Sequence, residues 1–253
     1  MLRNNEKKIS DKIQSLINQT RSTYAYSLSK FLNPREQMIA EDMVTPQADL
    51  NIYHFGGYPH SERQRIIISP EYLPIQKSEF EIKLFNIKFN TKFIRLEHGQ
   101  ILGTLANSGI DRDIFGDIIT DQIHWQFYAE AQFSDYITNE ITRIGHHTVK
   151  IEEVSNNNRV LVYDDSNNET EIVGSLRLDS LVATVFKLSR RDAKSLILSG
   201  SVLVNWNHEK RSDYLLTIRD TVSVHGKGRF TILDLLGQTQ AQKYRIYVKV
   251  YRR

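Results

Sequence analysis

Four cations, Arg177, Arg190, Arg191 and Lys194, stand close together in the last third of the chain. A guanidinium fork meets two phosphate oxygens at once, and phosphate contacts supply most of a protein's affinity for nucleic acid. Lys210, Arg211, Lys227 and Arg229 fall on turn-like segments around predicted strands and can extend the same surface. Trp206 adds a flat ring that either stacks on a base or sugar or is buried as a structural residue. An Arg pair by itself is commonly a solvated helix face. The ordered combination of cations, helix start and turns points instead to an RNA partner.

The elements that must hold these side chains are legible. Leu178, Leu181, Val182, Val185 and Phe186 recur at helical spacing. Ser189 caps a second predicted helix, and Asp192 completes a capping box. Ala193, Leu196 and Ile197 form the inner face of that helix. Arg190, Arg191 and Lys194 are left outside, near orphan N–H groups and the positive end of the helix dipole. Gly200 is a left-handed stop. Val202 and Val204 then alternate with polar neighbours, as a half-buried strand does.

The stretch resembles the S-four-type RNA-binding domain, the αL fold. The resemblance rests on Arg177-Leu178-Asp179 and on Ser189, Arg190 and Ala193. It continues through I-x-x-G-x-V-x-V-N from Ile197 to Asn205 and D-x-V-S-V-x-G-K-G-R from Asp220 to Arg229. Two positions depart from the pattern. Trp206 stands for the usual Gly after Asn205, which is expected to alter the turn, and Arg219 stands for the usual Gly before Asp220.

At 253 residues the chain has room for two or three small domains, and its 40% hydrophobic content supports ordinary cores. The absence of cysteine excludes disulfides and thiolate metal sites and fits a reducing cytosol. No apolar run reaches membrane length, and MLRNNEKKISDKI lacks the apolar core of a signal peptide. A cytoplasmic protein without a membrane partner is expected. Residues 176–253 hold 15 Lys and Arg against 6 Asp and Glu, while residues 1–175 hold 18 against 24. A basic third on an acidic remainder suits a polyanion docked over a limited area.

The expected fold class is α+β, with an N-terminal α/β domain over 1–77. Ile9, Ile13, Leu16 and Ile17 share one helix face, and Asn33-Pro34 opens a second helix closed near Thr45-Pro46. Strand patterns follow at Leu50–Phe55 and Arg65–Ser69. Residues 78–155 read as an RRM/ferredoxin-like βαββαβ domain, with a bulge expected where the alternation shifts from Leu84 to Phe85. Phe133, Ile137, Ile141 and Ile144 suggest its second helix. Trp125 and Phe127 offer either a base-stacking face or, more commonly, core packing. Residues 156–175 read as a linker interrupted by a short strand at Arg159–Tyr163, and 176–253 form the S-four-type domain.

Phe55–Pro70 (FGGYPHSERQRIIISP), His98–Ile118 (HGQILGTLANSGIDRDIFGDI) and Val204-Asn205-Trp206 resemble the YlmH family of Gram-positive bacteria. The resemblance implies binding to rRNA of the large ribosomal subunit and to tRNA, including peptidyl-tRNA. It further implies contact with quality-control factors, in ribosome-associated quality control of stalled translation. No catalytic constellation, cofactor motif or metal-ligand spacing is present in the sequence. The eight histidines form no ligand pattern, His146 and His147 face opposite ways on a predicted strand, and GKGR at 226–229 lacks Walker spacing. Arg177-Leu178-Asp179-Ser180 resembles the catalytic string of pseudouridine synthases but opens the small module, where Asp179 suits helix-terminal hydrogen bonding or Arg pairing. Non-catalytic RNA binding is expected. The alternatives are an rRNA- or tRNA-modifying enzyme and an RNA-tethered scaffold with a cell-division role.

Overall fold

Ile9, Ile13 and Ile17 recur every four residues, a spacing that stacks them on one helix face. In the computed structural model, which describes residues 4–163 and 166–252, they line the buried side of α1 (Asn4–Thr23). β1 (Ser27–Leu28) follows. Asn33 then caps α2 (Pro34–Val44). Its side chain accepts from the N–H groups of Arg35 and Glu36, and the Glu36 carboxylate accepts from the Asn33 N–H. Pro34 sits where its missing N–H costs no helical bond. β2 (Leu50–Phe55) and β3 (Arg65–Pro70) complete an antiparallel sheet in the order β1-β3-β2. Ile39, Ala40 and Val44 cover Ile66 and Ile68 on it.

The next elements are β4 (Ile82–Lys88), α3 (His98–Ala106), β5 (Phe115–Thr120), β6 (Trp125–Glu130) and α4 (Ser134–Glu140). A hairpin of β7 (Arg143–Ile144) and β8 (His147–Thr148) leads to β9 (Lys150–Val154). The sheet order is β5-β6-β4-β9, antiparallel throughout, so the first and third strands are central. This is the ferredoxin-like order.

Two local expectations change. β4 carries no bulge; it pairs with β6 in unbroken register from Ile82↔Glu130 to Ile87↔Trp125. Leu84 and Phe85 are both buried because apolar clusters cover both faces of the sheet. The irregularity lies in β5, between Phe115 and Ile118. In addition, α4 stops at Glu140, and Ile144 belongs to β7. Ile144 reaches the same core as Ile137, so helical spacing runs on past the end of the helix. Gly145, at φ +57, makes the turn, and His146 lies in that turn rather than on a strand.

The N-terminal segment and the central sheet form one unit, and the two family-like strings are what interlock them. Asp117 on β5 accepts from the N–H groups of Glu62 and Arg63 and from the Tyr58 hydroxyl. The buried Arg63 donates to the carbonyls of Phe115 and Phe31. Tyr58 stacks on Tyr128 with ring centroids 5.5 Å apart. Gly57, at φ +102, lets the loop lie against the Tyr128 ring; a Cβ there would fall 2.3 Å from the ring.

The segment expected as a linker is divided between the two units. Gln126 pairs with the Asn158 carbonyl and the Val160 N–H, and the Tyr163 N–H donates to Thr120, so this part stays on the central sheet. No strand forms at Arg159–Tyr163. Asp164 and Asp165, part of an expected turn, lie outside the described residues. Residues 167–173 are β10 (Asn167–Val173) of the second unit, which begins after Tyr163.

That unit continues with α5 (Leu178–Val185), α6 (Arg190–Leu198), β11 (Val202–Val204), β12 (Asn207–His208) and β13 (Thr221–Val224). The long hairpin strands β14 (Gly228–Gln238) and β15 (Tyr244–Arg252) end it. The sheet order is β10-β15-β14-β13-β11-β12. Val222, Phe230, Ile232, Ile246 and Val248 form its inner face, packed with Leu178, Leu181, Val182, Val185, Ala193 and Ile197 of the two helices.

Candidate nucleic-acid interface

Ser189 starts α6 as the sequence requires: its hydroxyl oxygen accepts the Asp192 N–H at 3.1 Å. The hydroxyl proton goes to the Asp192 carboxylate at 2.7 Å, so the box closes side chain to side chain. Ala193 and Ile197 are buried, which turns Arg190, Arg191 and Lys194 to solvent. Gly200 ends the helix at φ +77.

Asp179, in the first turn of α5, is fully buried, and its oxygens accept from Arg177 at 3.2 Å and from Arg190 at 2.8 Å. Burial alone would raise its pKa; the hydrogen bonds from Arg177 and Arg190 outweigh that and hold it below the usual carboxylate range. Both guanidinium groups are therefore oriented by an anion they cannot pull into water. Arg177, Arg190, Arg191 and Lys194 line one shallow concavity with Asp179, and Ser195, Leu198 and Ser199 complete it. Leu198, 65% exposed, was missed in the sequence; its signal is a leucine out of phase with Ala193 and Ile197.

The other sequence-predicted residues spread further. Lys210 lies beside the C-terminal end of α6, where its Cε would be 3.8 Å from a Cβ on Gly200. Arg211 is engaged by Glu209 at 3.0 Å and lies over the Tyr214 ring. Lys227 is exposed in the β13–β14 turn. Arg229 is not brought to the helix surface. Its neighbour Phe230 points to the core, so strand alternation sends Arg229 to the opposite face, with its guanidinium 4.4 Å from the Tyr251 ring centre.

The two departures from glycine keep a glycine-like backbone. Asn205 and Trp206, at φ +48 and +63, form the tight turn between β11 and β12, and Arg219 sits at φ +66. All three lie in the left-handed region that glycine favours. Asn205 secures the turn, donating to Asp220 at 2.8 Å and accepting from the Thr221 N–H at 2.9 Å. Trp206 is half-buried.

The central sheet has no open face for stacking bases in the manner of an RRM. Phe85, Phe115 and Phe127 face the core that α3 and α4 contribute to. Leu84, Ile119 and Tyr128 on the other face are covered by Phe31, Tyr58 and Val160. Among the described residues, no group of three or more His, Asp or Glu could hold a metal ion, and no helix is long and apolar enough to cross a membrane.

Residues 5–73 match the family described as "YlmH, N-terminal", and residues 75–158 match "Putative RNA-binding domain in YlmH". The chain is 33% identical over 223 residues to the ribosome-associated protein quality control protein P2 of Bacillus subtilis (strain 168), covering 88% of this chain and 86% of that protein. It is similar to the solved structure of cell division protein ylmH from Streptococcus pneumoniae, at TM-score 0.55 and 29% identity over 63% of this chain and 97% of that chain. With family matches along its first two thirds and a relative aligned over most of its length, the chain belongs to the YlmH family.

Proposed function

We propose that this protein binds structured RNA without catalysing a reaction on it. Its target in this reading is the large ribosomal subunit with peptidyl-tRNA, in cytoplasmic quality control of stalled translation. The observation that carries the reading is the cationic surface of α6, where buried Asp179 presents Arg177 and Arg190 beside Arg191 and Lys194. Fixed guanidinium forks beside a helix start suit phosphate groups spaced along a folded strand. The name of the Bacillus subtilis relative and the description of the central family support a ribosomal RNA partner. The carboxylate of the R-L-D-S string is enclosed by two guanidinium groups, which fits an orienting role.

The test is co-sedimentation with purified large subunits, with and without peptidyl-tRNA, for wild type and for Arg190→Ala combined with Lys194→Ala. The wild type should pellet with the subunits, more so with peptidyl-tRNA, and the variant should pellet at least tenfold less. Equal sedimentation of the two proteins would remove the α6 surface from the interface. Multiple turnover of a modified nucleotide by the purified protein would refute the non-catalytic reading.

A further inference from the structure

The aromatic side chains of the central sheet are covered on both faces, so a base-stacking contact by this part of the chain must use its edges or ends. Three connections meet at one end. β4 finishes there and β6 and β9 begin there, because Ile87 pairs with Trp125 and Lys88 with Lys150. The β4–α3 loop, the β5–β6 turn and the β7–β8 hairpin therefore lie together. The hairpin turn approaches α3, with a Cβ on Gly145 placed 3.8 Å from Gln100 Nε2. The rings of His98 and Trp125 lie 6.4 Å apart.

The β4–α3 loop is built to show one aromatic ring. Asn90 closes a tight turn: its side chain accepts from the Lys92 N–H, and its carbonyl accepts from Phe93 and Ile94. Phe89 and Ile94 pack on the core, while Phe93 between them is 85% exposed. Core packing gives no reason for a phenylalanine there. Lys88, Lys92, Arg95, Arg143 and Lys150 are all exposed around this end. Of the nearby acids, Glu152 is already shared by Lys88 and Lys150, and Asp121 is engaged by His124. Glu97 and Glu140 are exposed there as well.

We propose that this end of the central sheet is a second RNA contact, in which Phe93 stacks on an unpaired base while Lys92 and Arg95 hold the adjoining phosphates. Every base has a π-face, and an exposed ring beside cations is how proteins grip unpaired strands. A paired base presents no free face, so the contact selects loops, bulges or ends over duplex. The inference rests on the RNA-binding reading above and adds where the central sheet takes part.

The test uses the full chain and two probes: a labelled RNA hairpin with an unpaired loop, and a fully paired duplex of the same stem. Phe93→Ala should weaken hairpin binding roughly fivefold or more, the lower end of what losing one stacked base costs. It should leave duplex binding and the melting temperature unchanged, and Phe93→Trp should retain hairpin binding. Lys92→Ala with Arg95→Ala should also weaken the hairpin complex. Photo-crosslinks from the hairpin loop should map to residues 89–97. Arg190→Ala with Lys194→Ala should weaken both complexes, which reports on the α6 surface separately. If Phe93→Ala binds both RNAs as wild type while the α6 variant does not, this contact is wrong and the RNA-binding reading stands. A sharp loss of melting temperature in Phe93→Ala would also overturn it. Failure of the wild type to bind either RNA would overturn both.

Discussion

Arg190 donates to Asp179 at 2.8 Å across the junction of two helices, and the Asp179 side chain is fully enclosed while Arg190 is more than half exposed. The arrangement turns a flexible surface arginine into a fixed one. A guanidinium held in place by a buried anion loses less side-chain freedom when it meets phosphate.

Asp179→Asn should therefore weaken RNA binding several-fold although residue 179 touches no RNA. The amide keeps the shape but loses the charge and puts an NH2 group where one of the two acceptor oxygens stood. The second unit should lose about 1 kcal/mol of stability, a modest figure because both arginine partners reach solvent. Titration calorimetry with a hairpin RNA and a thermal melt check the two effects. Unchanged affinity would show that the arginines need no orienting group.

The same carboxylate sets an acid limit. Its folded-state pKa lies below its unfolded value, so its contribution to stability is present above the ordinary aspartate pKa and is lost as pH falls through the folded-state value. The window opens at about pH 4 and extends downward. Urea unfolding of the wild type from pH 7 to pH 3 should show this loss, and Asp179→Asn should reduce it, leaving the part due to Glu169 and Glu209, whose pKa values are also held down by arginine partners.

Salt dependence should match the surface that the fold assembles. Arg177, Arg190, Arg191, Lys194 and neighbouring Lys210 offer five cations on or near one face, with Arg229 on the other side of the sheet. Five phosphate contacts from this surface alone give a log–log slope of affinity against salt of roughly −3.5 to −4.5, between the single- and double-strand coefficients, and the slope should be read with Lys92 and Arg95 replaced by Ala. Fluorescence anisotropy across a salt series measures it. A slope near −1 would exclude a clamp of this size.

Gly57→Ala should destabilise the first unit by about 2–4 kcal/mol, since it combines a left-handed backbone with overpacking. The new methyl group would meet the Tyr128 ring at 2.3 Å, in the contact that seats Tyr58. A melt monitored by tyrosine absorbance reads the effect. A change within about 0.5 kcal/mol, as at an ordinary surface site, would mean that the loop does not dock as described.

Arg219→Gly should raise stability by about 1 kcal/mol, because a side chain at φ +66 carries a left-handed penalty that glycine lacks. Denaturant midpoints of the two proteins decide it. A lower midpoint would show that contacts of the Arg219 side chain outweigh the backbone strain.

The sequence by itself determined the elements whose signals are local. The isoleucines of α1, the Asn33-Pro34 start of α2 and the Ser189 to Gly200 bounds of α6 each lie within a few helical turns, and each appears where its spacing placed it. Outward Arg190, Arg191 and Lys194 follow from that same periodicity. Only the tertiary structure decided that 167–173 is a strand, since its partner β15 lies some eighty residues away and its own polar residues carry no strand alternation. It alone set Arg229 on the far side of its sheet and buried both faces of β4, which sequence alternation reads as a bulge. It alone joined the two family-like strings through Asp117 and Arg63. Helical spacing and capping are short-range, so they are written in the chain. Which face of a strand is covered depends on what distant segment arrives there, and no local pattern encodes that.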